Sequence, residues 1–169
     1  MSSTVYRPTA SAAGVRAAVH TGLERLTEVL AAHSVDALRV SLGLVFLAFA
    51  SVKYVAGLSP AEDLAVATVS QLTFGVVTGS SALLLTAVTE TVIGLTLLTG
   101  RLVRLGLVVM AGAMVGIMSP LVLFPDQMWV DGGPTLVGQY VFKDVVLVAG
   151  ALVVAAHALG ARMRTDAED

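Results

Sequence analysis

The sequence predicts an all-α integral membrane protein, a four-helix bundle with an N-terminal amphipathic helix and a short outer interfacial helix. Three observations carry this. Hydrophobic residues make up 56% of the 169 positions and charged residues 13%, too little charge to wet the surface of a soluble domain of this length. Four apolar runs, at about 38–57, 81–99, 102–123 and 138–159, each approach the roughly 20 residues that a helix needs to cross a bilayer. Arginine is confined to one set of connections.

Residues 1–12 carry no apolar pattern and are expected to be disordered. Over 13–33, Val15, Val19, Leu23, Leu26 and Leu30 form one helical stripe, while Arg16, His20, Glu24 and Glu28 occupy other faces. That pattern fits a helix lying in the membrane interface, or a soluble helix that binds a partner. Ser34 can N-cap the first span, with Asp36 in its first turn. Gly57, Gly100 and Gly160 stand where spans one, two and four should stop. Ser59-Pro60-Ala61-Glu62 reads as a capping box that opens a short helix over 59–74. That helix is too short and too polar at its start to span, so it should lie across the outer mouth. The Gly100–Arg101 junction makes spans two and three antiparallel neighbours. Ser119-Pro120 should kink or end span three. Gly112 and Gly116 form a small-xxx-small pair for close helix contact. Residues 36–160 thus form the membrane domain, and 161–169 a tail.

Orientation follows from Lys and Arg. Arg7, Arg16, Arg25 and Arg39 precede or open span one, Arg101 and Arg104 flank the turn after span two, and Arg162 and Arg164 follow span four. The loops at 58–80 and 125–137 hold neither residue. The positive-inside rule then places both termini in the cytoplasm. The first apolar run starts too late for a cleavable signal peptide, so span one should act as an uncleaved anchor.

Composition also narrows the chemistry. With no cysteine, disulfides, thiolate nucleophiles and Cys-ligated metals are excluded. A net charge of −2 offers no basic face for nucleic acid. Of the three histidines only His157 lies in an apolar stretch, so a bis-His haem within the spans is excluded. Met110, Met114 and Met118 read as packing rather than ligands, and no metal motif or nucleophile triad occurs.

The candidate site lies in the exceptions. Lys53, Glu90, Lys143 and Asp144 are ionisable residues inside spans, where a charge costs about 2.5–3.5 kcal/mol near the bilayer centre. At helical rise, Lys53 lies roughly 6 Å inside the outer end of span one, Lys143 and Asp144 roughly 8–9 Å inside that of span four, and Glu90 roughly 13 Å inside span two. Either lysine can snorkel to the headgroups. Glu90 cannot, so it must be protonated, paired or facing a wet cavity. The economical arrangement is a buried polar cluster in which Lys53 or Lys143 reaches Glu90 and Asp144, with Gln139 one turn from Lys143 on the same face. Such a cluster would be functional, or would only fix helix register. Trp129 and Tyr140 fit an interfacial aromatic belt. With Tyr54 and Phe142 they would instead wall a pocket above the cluster.

Three segments resemble a known family. Arg39, Gly43, Phe46 and Lys53 form an R-x3-G-x2-F-x6-K pattern in span one. Glu90, Gly94, Leu97, Leu98 and Gly100 form an E-x3-G-x2-LL pattern in span two, with Thr99 inserted before the final Gly. Both are similar to the DoxX-like superfamily of small four-helix membrane proteins. The stretch from Gly138 through Gln139 to Lys143-Asp144 is similar to the GQ-x3-KD signature of its YkgB/RclC-like branch, linked to reactive chlorine resistance. The resemblance covers about residues 36–160. It implies a bacterial plasma (inner) membrane, a role in oxidative-stress defence or beside quinone-linked redox complexes, and a redox or stress-response protein partner. The first functional expectation is therefore an accessory or stress-protection subunit, more a non-catalytic membrane subunit than an independent enzyme, that binds quinone or another small lipophile in the outer half. A proton- or ion-coupled transporter or channel, with Glu90 and the lysines as relay, is the second. A scaffold that recruits a partner complex through the N-terminal helix is the third, and a homo-oligomer is a further expectation.

Overall fold

A computed structural model describes the backbone of residues 10–162 and the side chains of residues 14–162. The expectations for residues 1–9 and for the tail beyond Arg162 lie outside the described residues. The described residues divide into two compact units, one of residues 10–35 with Arg162 and one of Asp36–Ala161.

Helix α1 runs from Ala10 to Lys53. It therefore includes residues 10–12, which lack the expected disorder. No stop separates the amphipathic stretch from span one, and Ser34 caps nothing. Between Gly22 and Gly43 there is neither Gly nor Pro to end a helix, and an N-cap residue with helix formers on both sides has no reason to leave the helix. Within the first unit, Val15, Val19, Leu23, Leu26 and Leu30 remain exposed.

The second unit is the bundle. The end of α1 is followed by α2 (Glu62–Leu72), α3 (Gly79–Thr99), α4 (Val103–Met118), α5 (Pro120–Leu123) and α6 (Pro125–Met128). A two-residue hairpin comes next, β1 (Trp129–Val130) antiparallel to β2 (Gly133–Pro134), then α7 (Leu136–Phe142) and α8 (Val145–Ala158). Four helical stretches are long and apolar enough to cross a membrane: Gly14–Lys53, Gly79–Thr99, Val103–Leu123 and Leu136–Ala158. The chain is a multi-pass, all-α membrane bundle.

Several boundaries differ from the sequence pattern. Helix α1 stops at Lys53 rather than Gly57, which sits in the following turn at φ 76°. The Ser59 capping box does not form: α2 begins at Glu62, and Glu62 Oε2 accepts the Gly57 amide at 2.7 Å instead. Gly100, at φ 71°, ends α3 in the left-handed conformation expected there. Ser119-Pro120 divides span three into α4 and α5, because Pro120 cannot donate to the helix ladder.

Span four is also divided, which the apolar run did not announce. Thr135 caps α7, its Oγ1 accepting from Gly138 N at 3.0 Å and donating to Gln127 O at 2.7 Å. Lys143 and Asp144 then form a tightened turn before α8. Asp144 N bonds Val141 O at 3.0 Å and Val146 N bonds Lys143 O at 3.0 Å, both three residues back. The hairpin turn carries Asp131 at φ 50° and Gly132 at φ 79°, the paired positive φ that a two-residue I′ loop requires.

Small residues zip one end of the bundle. A Cβ on Gly43 would lie 2.8 Å from Leu98 N and 3.0 Å from Gly94 O, so α1 and α3 touch backbone to backbone. Gly106 packs on Thr96, and Gly150 on Leu38 and Leu42. Gly112 and Gly116 make no such contact: Gly112 meets nothing within 4 Å, and Gly116 only Leu72 Cδ1 at 3.9 Å. Gly112 is exposed on the outside of the bundle, whereas Gly116 borders a cavity.

Arginines cap helix ends at the zipped end. Arg39 donates through Nη1 to Leu97 O, and to Leu98 O at 3.4 Å. Arg104 donates to Ala158 O at 3.1 Å through Nη2. Each guanidinium thus meets the terminal carbonyls of α3 or α8, where positive charge complements the helix dipole.

Candidate functional site

The opposite half of the bundle encloses a cavity of about 240 Å³. Helix α1 supplies Phe46, Phe49 and Lys53, and α3 supplies Leu85, Thr86, Thr89 and Glu90. Ala61, at the N-cap of α2, and Leu64, Ala65, Thr68, Val69 and Leu72 on α2 close it, their spacing of three and four residues defining one helical face. Ala113, Gly116 and Ile117 come from α4, Pro120 from α5, and Tyr140, Val141, Asp144 and Leu147 from span four.

The polar feature is the Lys53–Glu90 pair. Lys53 Nζ donates to Glu90 Oε1 at 2.8 Å and to Oε2 at 2.7 Å. Both residues are buried, 8% and 4% exposed. Lys53 is the last residue of α1, so its stem turns inward along the bundle instead of snorkelling away from it. Glu90 faces the cavity between neighbouring turns of α3 and has no other hydrogen-bond partner among the described residues. A third contact of Nζ, to Phe49 O, is long at 3.4 Å.

Asp144 is the second buried carboxylate, 7% exposed and lining the same cavity. It stands at the N-cap of α8 yet does not cap it. The first amides of α8 are already taken, Val146 N by Lys143 O and Leu147 N by Asp144 O, because the chain enters α8 from a helical turn. Both Lys143 and Lys53 lie close enough to act on it electrostatically, but neither forms an ion pair with it.

Lys143 lies outside the cavity and is exposed. Its Nζ sits 3.8 Å from the centroid of the Tyr140 ring and 5.7 Å from that of Phe49, which lies equally far from Lys53 Nζ. Phe49 and Tyr140 meet edge to face, their centroids 6.3 Å apart. Cation–π contact therefore holds the outer ammonium.

Four further residues expected at the site lie elsewhere. Gln139 is exposed and donates to Pro134 O at 3.3 Å, tying α7 to the hairpin. Tyr54, just past the end of α1, is half-exposed, its hydroxyl 2.9 Å from Thr91 Oγ1. Trp129 and Phe142 point away from the cavity wall and are exposed. Only Tyr140 of the four expected aromatics lines the cavity; Phe46 and Phe49 replace the others. Their signal was the α1 stripe itself, since Phe46, Phe49 and Lys53 follow at helical spacing.

The fold and site define a four-span membrane bundle with an apolar cavity that holds one buried ion pair and one unpaired carboxylate. No known family model, curated protein or solved structure matches the chain.

Proposed function

We propose that this chain is a DoxX-like protein of the YkgB/RclC-like branch, an accessory or stress-protection subunit of a bacterial plasma membrane that binds a quinone or other small lipophile in its cavity. The observation that carries the reading is the cavity: apolar walls, one aromatic corner, and the Lys53–Glu90 pair with Asp144 as its only charged lining. Sites for small ligands are commonly of this kind, mostly apolar with a few placed polar groups. An engineered cavity of about 150 Å³ suffices for benzene, so about 240 Å³ accommodates a substituted ring, with any long tail left in the bilayer. The three motif segments supply the family reading. Arg39 and Gly43 join the middle of α1 to the last turns of α3, and Lys53 joins Glu90, so two of the motifs meet along one interface.

The orientation belongs to the same reading. Arg39, Arg101 and Arg104 cluster at the zipped end, which is placed in the cytoplasm by the positive-inside rule; the cavity then opens toward the outer leaflet. The stripe of Val15, Val19, Leu23, Leu26 and Leu30, exposed along residues 14–33, suits contact with a membrane interface.

The test exploits two glycines on α4. Gly116 borders the cavity with open space beside it, whereas Gly112 faces nothing within 4 Å and does not line it. A short-tailed benzoquinone should bind the native protein in lipid nanodiscs saturably, with empty discs as reference. Gly116→Leu should abolish that binding and fail to restore hypochlorite resistance in a deletion strain; Gly112→Leu should do neither. Equal binding by both variants would exclude the cavity as the site.

A further inference from the structure

The unmatched carboxylate of the cavity lies on one residue. Thr68, Thr86 and Thr89 each donate their hydroxyl proton to a carbonyl four residues back on their own helix. Lys53 spends two protons on Glu90, and Glu90 accepts on both oxygens. Asp144 alone keeps a carboxylate with no hydrogen bond and no ion pair among the described residues, at 7% exposure and on the cavity wall. Its oxygens are not sealed against protein, since among the described residues no fully buried side-chain oxygen lacks a partner; they open into the cavity. A buried acceptor left unmatched is costly, and the local remedy, capping α8, is closed because those amides are already bonded.

The geometry points to Asp144 as the anchor for an occupant that donates a hydrogen bond: a neutral lipophilic phenol or hydroquinone, held in preference to its etherified or oxidised counterpart. This rests on the cavity being a ligand site, as proposed above, and adds which chemical form it selects. A cationic amphiphile is disfavoured. Lys53, Glu90, Lys143 and Asp144 already sum to zero formal charge, and a third cation would face both ammonium groups. A quinone presents only carbonyl acceptors, which bring a carboxylate no proton to accept. A hydroxyl aimed at a carboxylate makes a short, charge-assisted bond.

The probes are 4-hexylphenol and its methyl ether, 4-hexylanisole, which have nearly the same shape and differ in the donor. Binding of each to the native protein in nanodiscs, corrected for empty discs, should favour the phenol by about tenfold or more, as one charge-assisted hydrogen bond allows. Asp144→Asn, nearly isosteric, should reduce the preference to within about threefold, because the amide offers a donor as well as an acceptor. A short-tailed hydroquinone and its quinone should repeat the pattern under anaerobic conditions. Equal binding of phenol and ether by the native protein overturns the inference, whether or not the variant folds, as does a preference that survives in a folded Asp144→Asn. If quinone and hydroquinone bind equally, the cavity reading stands and the anchor falls. If neither binds but the phenol preference holds and depends on Asp144, the anchor stands and the quinone reading falls. Binding of none of the probes refutes both.

Discussion

Removing one member of the Lys53–Glu90 pair should cost far more than removing both. The two N–O distances of 2.7 and 2.8 Å put the charges about 3 Å apart, where attraction at an effective dielectric of about 20 is roughly 5 kcal/mol. Desolvation costs several kcal/mol per ion, so the net worth of the intact pair is small. With Lys53→Met, Glu90 stays 4% exposed and loses its only partner; Glu90→Leu leaves Lys53 with one long contact to Phe49 O. Each single change should lower stability by about 3–5 kcal/mol. The double variant should lie near the native value or above it, giving a coupling energy of about 6 kcal/mol or more. The assay is a double-mutant cycle on unfolding in mixed micelles, with Glu90→Gln added to keep hydrogen bonding while removing the charge. If the two single effects are small and add to within about 0.5 kcal/mol, the pair does not hold α1 to α3. If the double variant is stable yet fails to protect cells from hypochlorite, the pair serves function rather than register.

Gly43→Leu should destabilise by about 1–3 kcal/mol through overpacking, because the obstructing atoms at 2.8 and 3.0 Å are backbone; Gly112→Leu should be near neutral in the same unfolding assay. Arg39→Met should cost about 1–2 kcal/mol by uncapping α3, with Arg39→Lys restoring part of it. A nitroxide at Leu23 should collide with lipid-soluble oxygen, and one at Glu24 with an aqueous nickel chelate; the reverse would remove residues 14–33 from the interface. In intact cells an impermeant thiol reagent should label a cysteine at Gly132 and not one at Arg101, and labelling of Arg101→Cys would invert the orientation.

How far the sequence is legible depends on the range of the interaction that decides each feature. The four apolar runs and the Gly100 stop could be read because hydrophobicity and a positive φ act locally. The Ser34 and Ser59 caps failed for a complementary reason. A cap competes with whatever else can satisfy the same amides, and a continuous helix or the Gly57–Glu62 bond satisfied them first. The Asp131-Gly132 hairpin was readable in principle, since an Asp-Gly pair is a strong two-residue turn signal.

The site divides along the same line. Glu90 has no route to the headgroups, so depth alone demands an internal partner, and Lys53 is the cation its helix face can reach. Gln139 and Lys143 share a face by periodicity, but the tightened turn at Lys143-Asp144 resets that face: Asp144 goes inward while Lys143 stays out over Tyr140. No count at 3.6 residues per turn can foresee this, because the turn's tightening depends on what α7 packs against. A Cβ at Gly138 would stand within van der Waals radius of Met128 O, so α7 is pressed against the hairpin end and α8 against Leu38 and Leu42 through Gly150. A single straight helix need not meet both contacts, and the residue at the join is the one whose carboxylate is left open to the cavity. The break in span four and the unpaired Asp144 thus fall at one turn, between those two close contacts.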